Sequence, residues 1–176
     1  MITFHPFHLE LSLPVAQALL AFTSKDSYRQ HLGVGIDGRS VCATDGHTAL
    51  LLDGATFADG ADPSAVHGKV WNRATLDTAI KVARATKQPV TLQYGTCQPL
   101  PFPPIRQVLP ADGIAGNDCP IGFNPAYVGQ LSLVAKACGA EGVRLTALRG
   151  ALDPIGFRVS GDGLDAHAVI MPMRVA

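Results

Sequence analysis

The stretch His31-Leu32-Gly33-Val34-Gly35-Ile36-Asp37-Gly38-Arg39-Ser40-Val41-Cys42-Ala43-Thr44-Asp45-Gly46-His47-Thr48-Ala49-Leu50-Leu51-Leu52 decides the fold class. Its two strand-like runs, 31–36 and 40–52, are joined by Asp37-Gly38, a pair of residues that tolerates the positive φ angles of a tight hairpin. The runs are therefore expected to pair antiparallel. Further strand-like runs fall at 65–70, 90–94, 143–148, 155–159 and 166–175, and Gly161-Asp162-Gly163 supplies a second turn between the last two.

Three helices are expected among these strands. The first spans about 12–25, with Ser12 as N-cap, Pro14 in the first turn, and Val15, Leu19 and Phe22 on one face. The second spans about 73–87, capped by Asn72, with Leu76, Ile80 and Ala83 inward. The third opens on Asn124-Pro125, aligns Tyr127, Leu131, Val134 and Cys138 in one stripe, and stops at Gly139. A helix followed by hairpin-linked strands recurs, with the second unit abbreviated. The pattern predicts an α+β fold of repeated helix-plus-antiparallel-strand units.

Residues 99–104, Pro-Leu-Pro-Phe-Pro-Pro, hold too many prolines for a central strand and are expected at an edge or in a crossing segment. Gly, Pro and Asp dominate from there to about Cys119, which puts a boundary near 110–120 and divides the chain into 1–110 and 111–176.

The bulk composition narrows the function. A chain of 176 residues can bury a hydrophobic core unaided, and 14 Lys and Arg balance 14 Asp and Glu, so no global field draws it to nucleic acid or anionic lipid. No apolar run approaches the ~18 residues of a membrane span. The start, Met1-Ile2-Thr3-Phe4-His5-Pro6-Phe7-His8, lacks the basic and apolar regions of a secretory signal, so a cytoplasmic location is expected. Cys42, Cys97, Cys119 and Cys138 are scattered without zinc-ligand spacing. His5 and His8 precede a strand-like segment, where they would point to opposite faces. No metal or cofactor site is expected.

Four stretches carry a resemblance. They are Ala43-Thr44-Asp45-Gly46-His47, Phe102-Pro103-Pro104-Ile105-Arg106-Gln107-Val108-Leu109-Pro110, Ile121-Gly122-Phe123-Asn124-Pro125-Ala126-Tyr127-Val128 and Val169-Ile170-Met171-Pro172-Met173-Arg174-Val175. In this order, with helices in the intervals, they resemble the bacterial sliding clamp, the beta subunit of DNA polymerase III. Residues 1–110 resemble the middle of the three clamp domains, and the rest resembles the second half of the last, about one and a half clamp domains in all. The clamp parts without a counterpart here form the family's ring contact. The resemblance therefore implies a homo-oligomer joined edge to edge rather than a ring closed in the usual way.

In that family the matching stretches converge on a hydrophobic groove. Carried over by position, it would be lined by Leu32, Thr44, Gly46, His47, Pro103, Val108, Val169, Met171, Pro172, Met173 and Arg174. The residue types suit peptide capture, since methionines adapt to related peptides and Gly46 admits a close backbone. Implied partners are clamp-binding peptides of polymerase, loader or repair proteins, and double-stranded DNA held without sequence specificity. Arg73, Lys81 and Arg84 on the second helix would face the phosphates. Thr48-Ala49 stands where the family has Arg-Leu, and Ala176 is one residue beyond its usual end.

The implied function is that of a non-enzymatic processivity factor in DNA replication. A decoy that competes for the same peptides without encircling DNA is an alternative. So is a small enzyme with Asp45 and His47 as acid and base beside Cys42 or Ser40, although no G-x-S-x-G, H-E-x-x-H or phosphate loop accompanies them. Met171 and Met173 also fit a core strand. The basic helix flank, with Asp77 interspersed, also fits an ordinary solvated face.

Overall fold

The computed structural model describes residues 1–26, 28–29, 32–114, 121–150 and 152–173. His31, Cys119 and Arg174 lie outside them. Among the described residues the chain is mixed α and β, with four α-helices and two sheets. No described helix is long and apolar enough to cross a membrane.

Three helices follow from local chemistry. α1 (Leu13–Ala21) buries Val15 and Leu19, with Phe22 buried just beyond it. It stops earlier than expected because its last carbonyls turn to side chains: Thr23 Oγ1 donates to Leu20 O at 2.8 Å, and Arg73 Nη1 donates to Leu20 O at 2.7 Å and Thr23 O at 3.1 Å. The Ser12 side chain makes no capping bond to the first turn; its hydroxyl accepts from the Met1 amino group instead. α2 (Arg73–Thr86) starts where Asn72 Oδ1 accepts from Thr75 N at 2.9 Å, and ends at Lys87 in the left-handed region with φ 57°. α4 (Pro125–Ala137) is capped by Asn124, which accepts from Ala126 N at 3.0 Å.

The smaller sheet runs β6 (Thr56–Phe57), β1 (Ile2–Phe4), β2 (His8–Leu11), β8 (Val90–Gln93). The larger runs β7 (Val70–Trp71), β3 (Val34–Asp37), β4 (Ser40–Thr44), β5 (Thr48–Asp53), β12 (Leu164–Ile170), β11 (Ile155–Gly161), β10 (Arg144–Leu148), β9 (Gly113–Ile114). The turns at Asp37-Gly38 and Asp162-Gly163 join β3 to β4 and β11 to β12 antiparallel. Two pairings are reciprocal. β2 precedes α1 and pairs with β8, which follows α2, while β7 precedes α2 and pairs with β3, which follows α1.

β5 pairs antiparallel with β12, so strands from before and after residues 110–120 share one sheet. One hydrophobic cluster likewise draws on Ile2, Leu50, Val134 and Ile170. α1 packs against both α2 and α4; α1 and α4 reach the larger sheet at β4, β11 and β12, α2 reaches β8 of the smaller sheet, and the buried residues of all three join Val41, Ala43, Leu50, Leu52, Ala166 and Ala168 in one cluster.

Several expectations are corrected. The run 40–52 is two strands, because Asp45-Gly46-His47 turns the chain, with Gly46 at φ 88°. Residues 65–70 are not a strand: Asp62 accepts from Ser64 N and starts a 3-10 turn, Pro63–Val66, leaving only Val70–Trp71 to reach the sheet. β12 ends at Ile170: Met171 N still donates to His47 O at 2.9 Å, but Pro172 has no N–H with which to carry the ladder on. His5 and His8 do not point apart. His5 N donates to His8 O at 2.9 Å, and that turn breaks the strand alternation and stacks the two rings 4.4 Å apart.

Candidate binding groove

The proline-rich segment crosses the sheet face opposite the helices. Phe102 lies flat on Gly35, where a Cβ would come within 2.5 Å of its ring. No larger residue leaves room for that approach. The chain then forms the short helix α3 (Ile105–Val108), which no periodicity in this stretch announces. Ile105 is buried against Cys42, Ala49, Leu51 and Val169, a second and smaller hydrophobic cluster.

Polar contacts fasten α3 at its other side. Arg106 N donates to Asp37 Oδ2 at 3.0 Å, and its guanidinium donates to Asp53 Oδ1 at 2.7 Å and to Ser40 Oγ, which itself donates to Asp53. Asp53 is directly opposite Asp165 in the β5–β12 pair. Like charges so placed repel. Each carboxylate has its own arginine: Arg106 serves Asp53, and Arg158 grips Asp165 with bonds of 2.9 and 2.6 Å. The Arg158 bonds hold the Asp165 carboxyl below the usual carboxylate range against the opposing effect of burial, and Ser160 and His167 assist.

Between α3 and the turn at Asp45 lies a groove of ≈ 590 Å³. Thr44, Thr48, Ala49 and Val169 lie along its sheet side, with Pro103, Ile105, Gln107, Val108, Leu109 and Pro110 from the α3 segment. Leu32, Gly46, His47, Met171 and Pro154 complete the lining. None of these residues is Asp, Glu, Lys or Arg. Val108 is 49 % and Met171 40 % exposed, so apolar surface is open at the rim. The site suits an apolar side chain inserted from solvent.

Asp45 shapes the rim of the groove. Its Oδ1 accepts from His47 N at 2.8 Å, Thr48 N at 2.7 Å and Thr48 Oγ1 at 3.0 Å. It thus bonds the backbone of His47, not its imidazole. The imidazole is exposed and stacks toward Tyr127, with ring centroids 6.4 Å apart. Cys42 is buried, and burial pushes its thiol far up, away from the reactive thiolate. The Ser40 hydroxyl is committed to Asp53 and Arg106. These four groups do not assemble into a nucleophile with its acid and base.

No family model matches the chain, and no curated protein matches it either. What the groove can do follows from its own residues.

Eight of the eleven residues inferred for a groove line this one: Leu32, Thr44, Gly46, His47, Pro103, Val108, Val169 and Met171. Pro172 and Met173 are not part of the lining; the chain has left the sheet by then, and Met173 N donates to Gly122 O at 2.8 Å, beside α4. Both methionines lie beyond β12, which removes the core-strand reading for them. Thr48 and Ala49, the pair that replaces the family's Arg-Leu at the groove wall, also line it, and five further lining residues escape the sequence reading. Three of these, Ile105, Gln107 and Leu109, sit in the four matching stretches, and a helical turn at 105–108 would have pointed to the first two. Pro110 closes the second of those stretches, whereas Pro154 comes from a loop with no sequence signal.

The three cations inferred to face DNA are differently placed. Arg73 is partly buried and spends its guanidinium on the end of α1, while Lys81 pairs with Asp77 at 2.7 Å. Arg84 is exposed on the last turn of α2.

Proposed function

We propose that this chain is a sliding-clamp-like, non-enzymatic protein of DNA replication that binds clamp-binding peptides in the groove beside α3. The carrying observation is that residues picked from separated parts of the sequence by resemblance border a single apolar groove. Chance would scatter them. The chain is then about one and a half clamp domains, 1–110 and 111–176, and the reciprocal pairing of the β2–α1–β3 and β7–α2–β8 units supports a repeat within the first of them. On this reading the protein works in the cytoplasm as a processivity factor. The outer edge of β8, which pairs only with β2 among the described residues, is then where copies join.

The test is titration of a fluorescent peptide ending in Leu-Phe. The expected affinity is micromolar, about −8 kcal/mol, and Met171→Ala weakens it by about 1 kcal/mol or more. No saturable binding at ~1 mM peptide would end the proposal.

A second reading, a regulator that holds these peptides without gripping DNA, is favoured by the engagement of the Arg73 guanidinium within the fold. Charge reversal at Lys81 and Arg84 separates the two. Lost retention on circular duplex DNA supports the processivity factor, and an unmodified protein that never binds DNA at low salt supports the regulator.

A further inference from the structure

We propose that His5, His8 and Glu10 form a binding site for a divalent transition-metal ion of the Zn²⁺ type, on the outer face of the small sheet and separate from the groove. The side-chain ligand atoms of all three lie within 4.8 Å of one another. The backbone accounts for this convergence. His8 and Glu10 are two apart on β2 and share its outward face, while Leu9 and Leu11 between and beyond them are fully buried. The turn through Pro6 and Phe7, closed by the His5 N to His8 O bond, folds His5 back onto that same face.

The surroundings leave the ligands available. Glu10 has Thr3 and Thr91 as strand neighbours, and His8 has Gln93, so no cation competes for the carboxylate from those positions. Among the described residues no hydrogen bond or ion pair engages the two imidazoles or the Glu10 carboxylate. Asp45, Asp53 and Asp165, by contrast, are all tied down. β2 lies between β1 and β8, and a strand held on both sides is a firm base for two of the three ligands.

Ligand chemistry selects the ion. Two imidazoles with one carboxylate suit Zn²⁺ and its neighbours in the first transition row, whereas Ca²⁺ and Mg²⁺ call for oxygen donors. Ligand atoms around tetrahedral zinc are spaced at roughly 3.3 Å, given bonds of about 2 Å. All three side chains are half-buried, so side-chain rotation closes that difference without moving the strand. Three protein ligands leave the fourth position to water or to a group from another molecule. The bound ion would also pin the turn between β1 and β2.

The test uses the full chain, titrated with Zn²⁺ by calorimetry and with Co²⁺ as a spectroscopic stand-in. One site per chain is expected, with affinity on the order of 10 µM and a thermal midpoint raised by about 5 °C at saturation. Co²⁺ should develop visible bands without the thiolate charge-transfer absorption that a cysteine site would add. His8→Ala and Glu10→Gln, half-buried positions whose loss leaves the fold intact by circular dichroism, should each weaken binding at least tenfold. His5→Ala should abolish the midpoint shift. Absence of saturable binding up to ~1 mM Zn²⁺ would overturn the assignment, as would an affinity that survives the His5→Ala, His8→Ala double variant, since the metal would then sit on other histidines.

Discussion

The two faces of β4, β5 and β12 are equally dry at their centres and differently covered. On one, Leu50 and Leu52 lie inside the large cluster that unites the chain and includes the buried residues of α1, α2 and α4. On the other, Cys42 and Leu51 are just as buried, yet their cover is the four-residue helix α3 and a proline-rich crossing. Adjacent residues in a strand belong to opposite faces. Leu50 and Leu51 therefore enter different parts of the molecule despite identical chemistry. A face sealed by several long elements serves stability alone, whereas a face under one short, locally fastened element keeps an open end that can receive a ligand.

The largest expected effect breaks the first face. Leu50→Ala should cost about 2–5 kcal/mol in urea denaturation, because Leu50 is fully buried in the large cluster, which cannot collapse completely around the lost atoms. A loss under about 1 kcal/mol would mean that the two faces do not differ as described.

Arg106→Ala sharpens the comparison. Removing the guanidinium leaves Ser40 and Asp53 short of a partner, and the exposure of the pair limits the global cost to about 1–2 kcal/mol. The more telling readout is thiol labelling followed by peptide mapping. Cys42 lies under α3 and Cys138 at the C-terminal end of α4, and Arg106→Ala should accelerate labelling of Cys42 alone. Equal acceleration at both cysteines would indicate global unfolding instead of release of α3.

The smallest effect concerns acid. The folded Asp165 carboxyl sits below its unfolded range because Arg158 bonds it, so the unfolded chain binds more protons as the pH drops. Its contribution is present at neutral pH and is lost as pH falls through the folded value, below about 4. Asp165→Asn should therefore lower the thermal midpoint at pH 7 by about 2 °C or less, and the difference should vanish near pH 2. A midpoint difference independent of pH would assign the residue a packing role only.

Turns and caps were legible in the sequence where the cause is local. The two hairpin turns place Gly38, Asp162 and Gly163 at positive φ angles, and Asn72 and Asn124 carry an acceptor that reaches the first free N–H groups of α2 and α4. These interactions span a few residues and need no partner from elsewhere. Most of the groove lining was reached by resemblance, not by periodicity, and α3 was missed because four residues carry too little pattern to separate a helical turn from a strand.

The amino-acid sequence by itself determined the antiparallel hairpins, the inward stripes of three helices and the exclusion of residues 99–104 from any central strand, since each rests on neighbours close along the chain. Only the tertiary structure decided that β5 joins β12, that β2 and β7 exchange partners between units, and that His5 folds back onto His8 and Glu10. A strand's edge offers the same row of N–H and C=O groups to every other strand. Which strand answers is settled by the packing of the faces and by long-range contacts, and no periodicity records it.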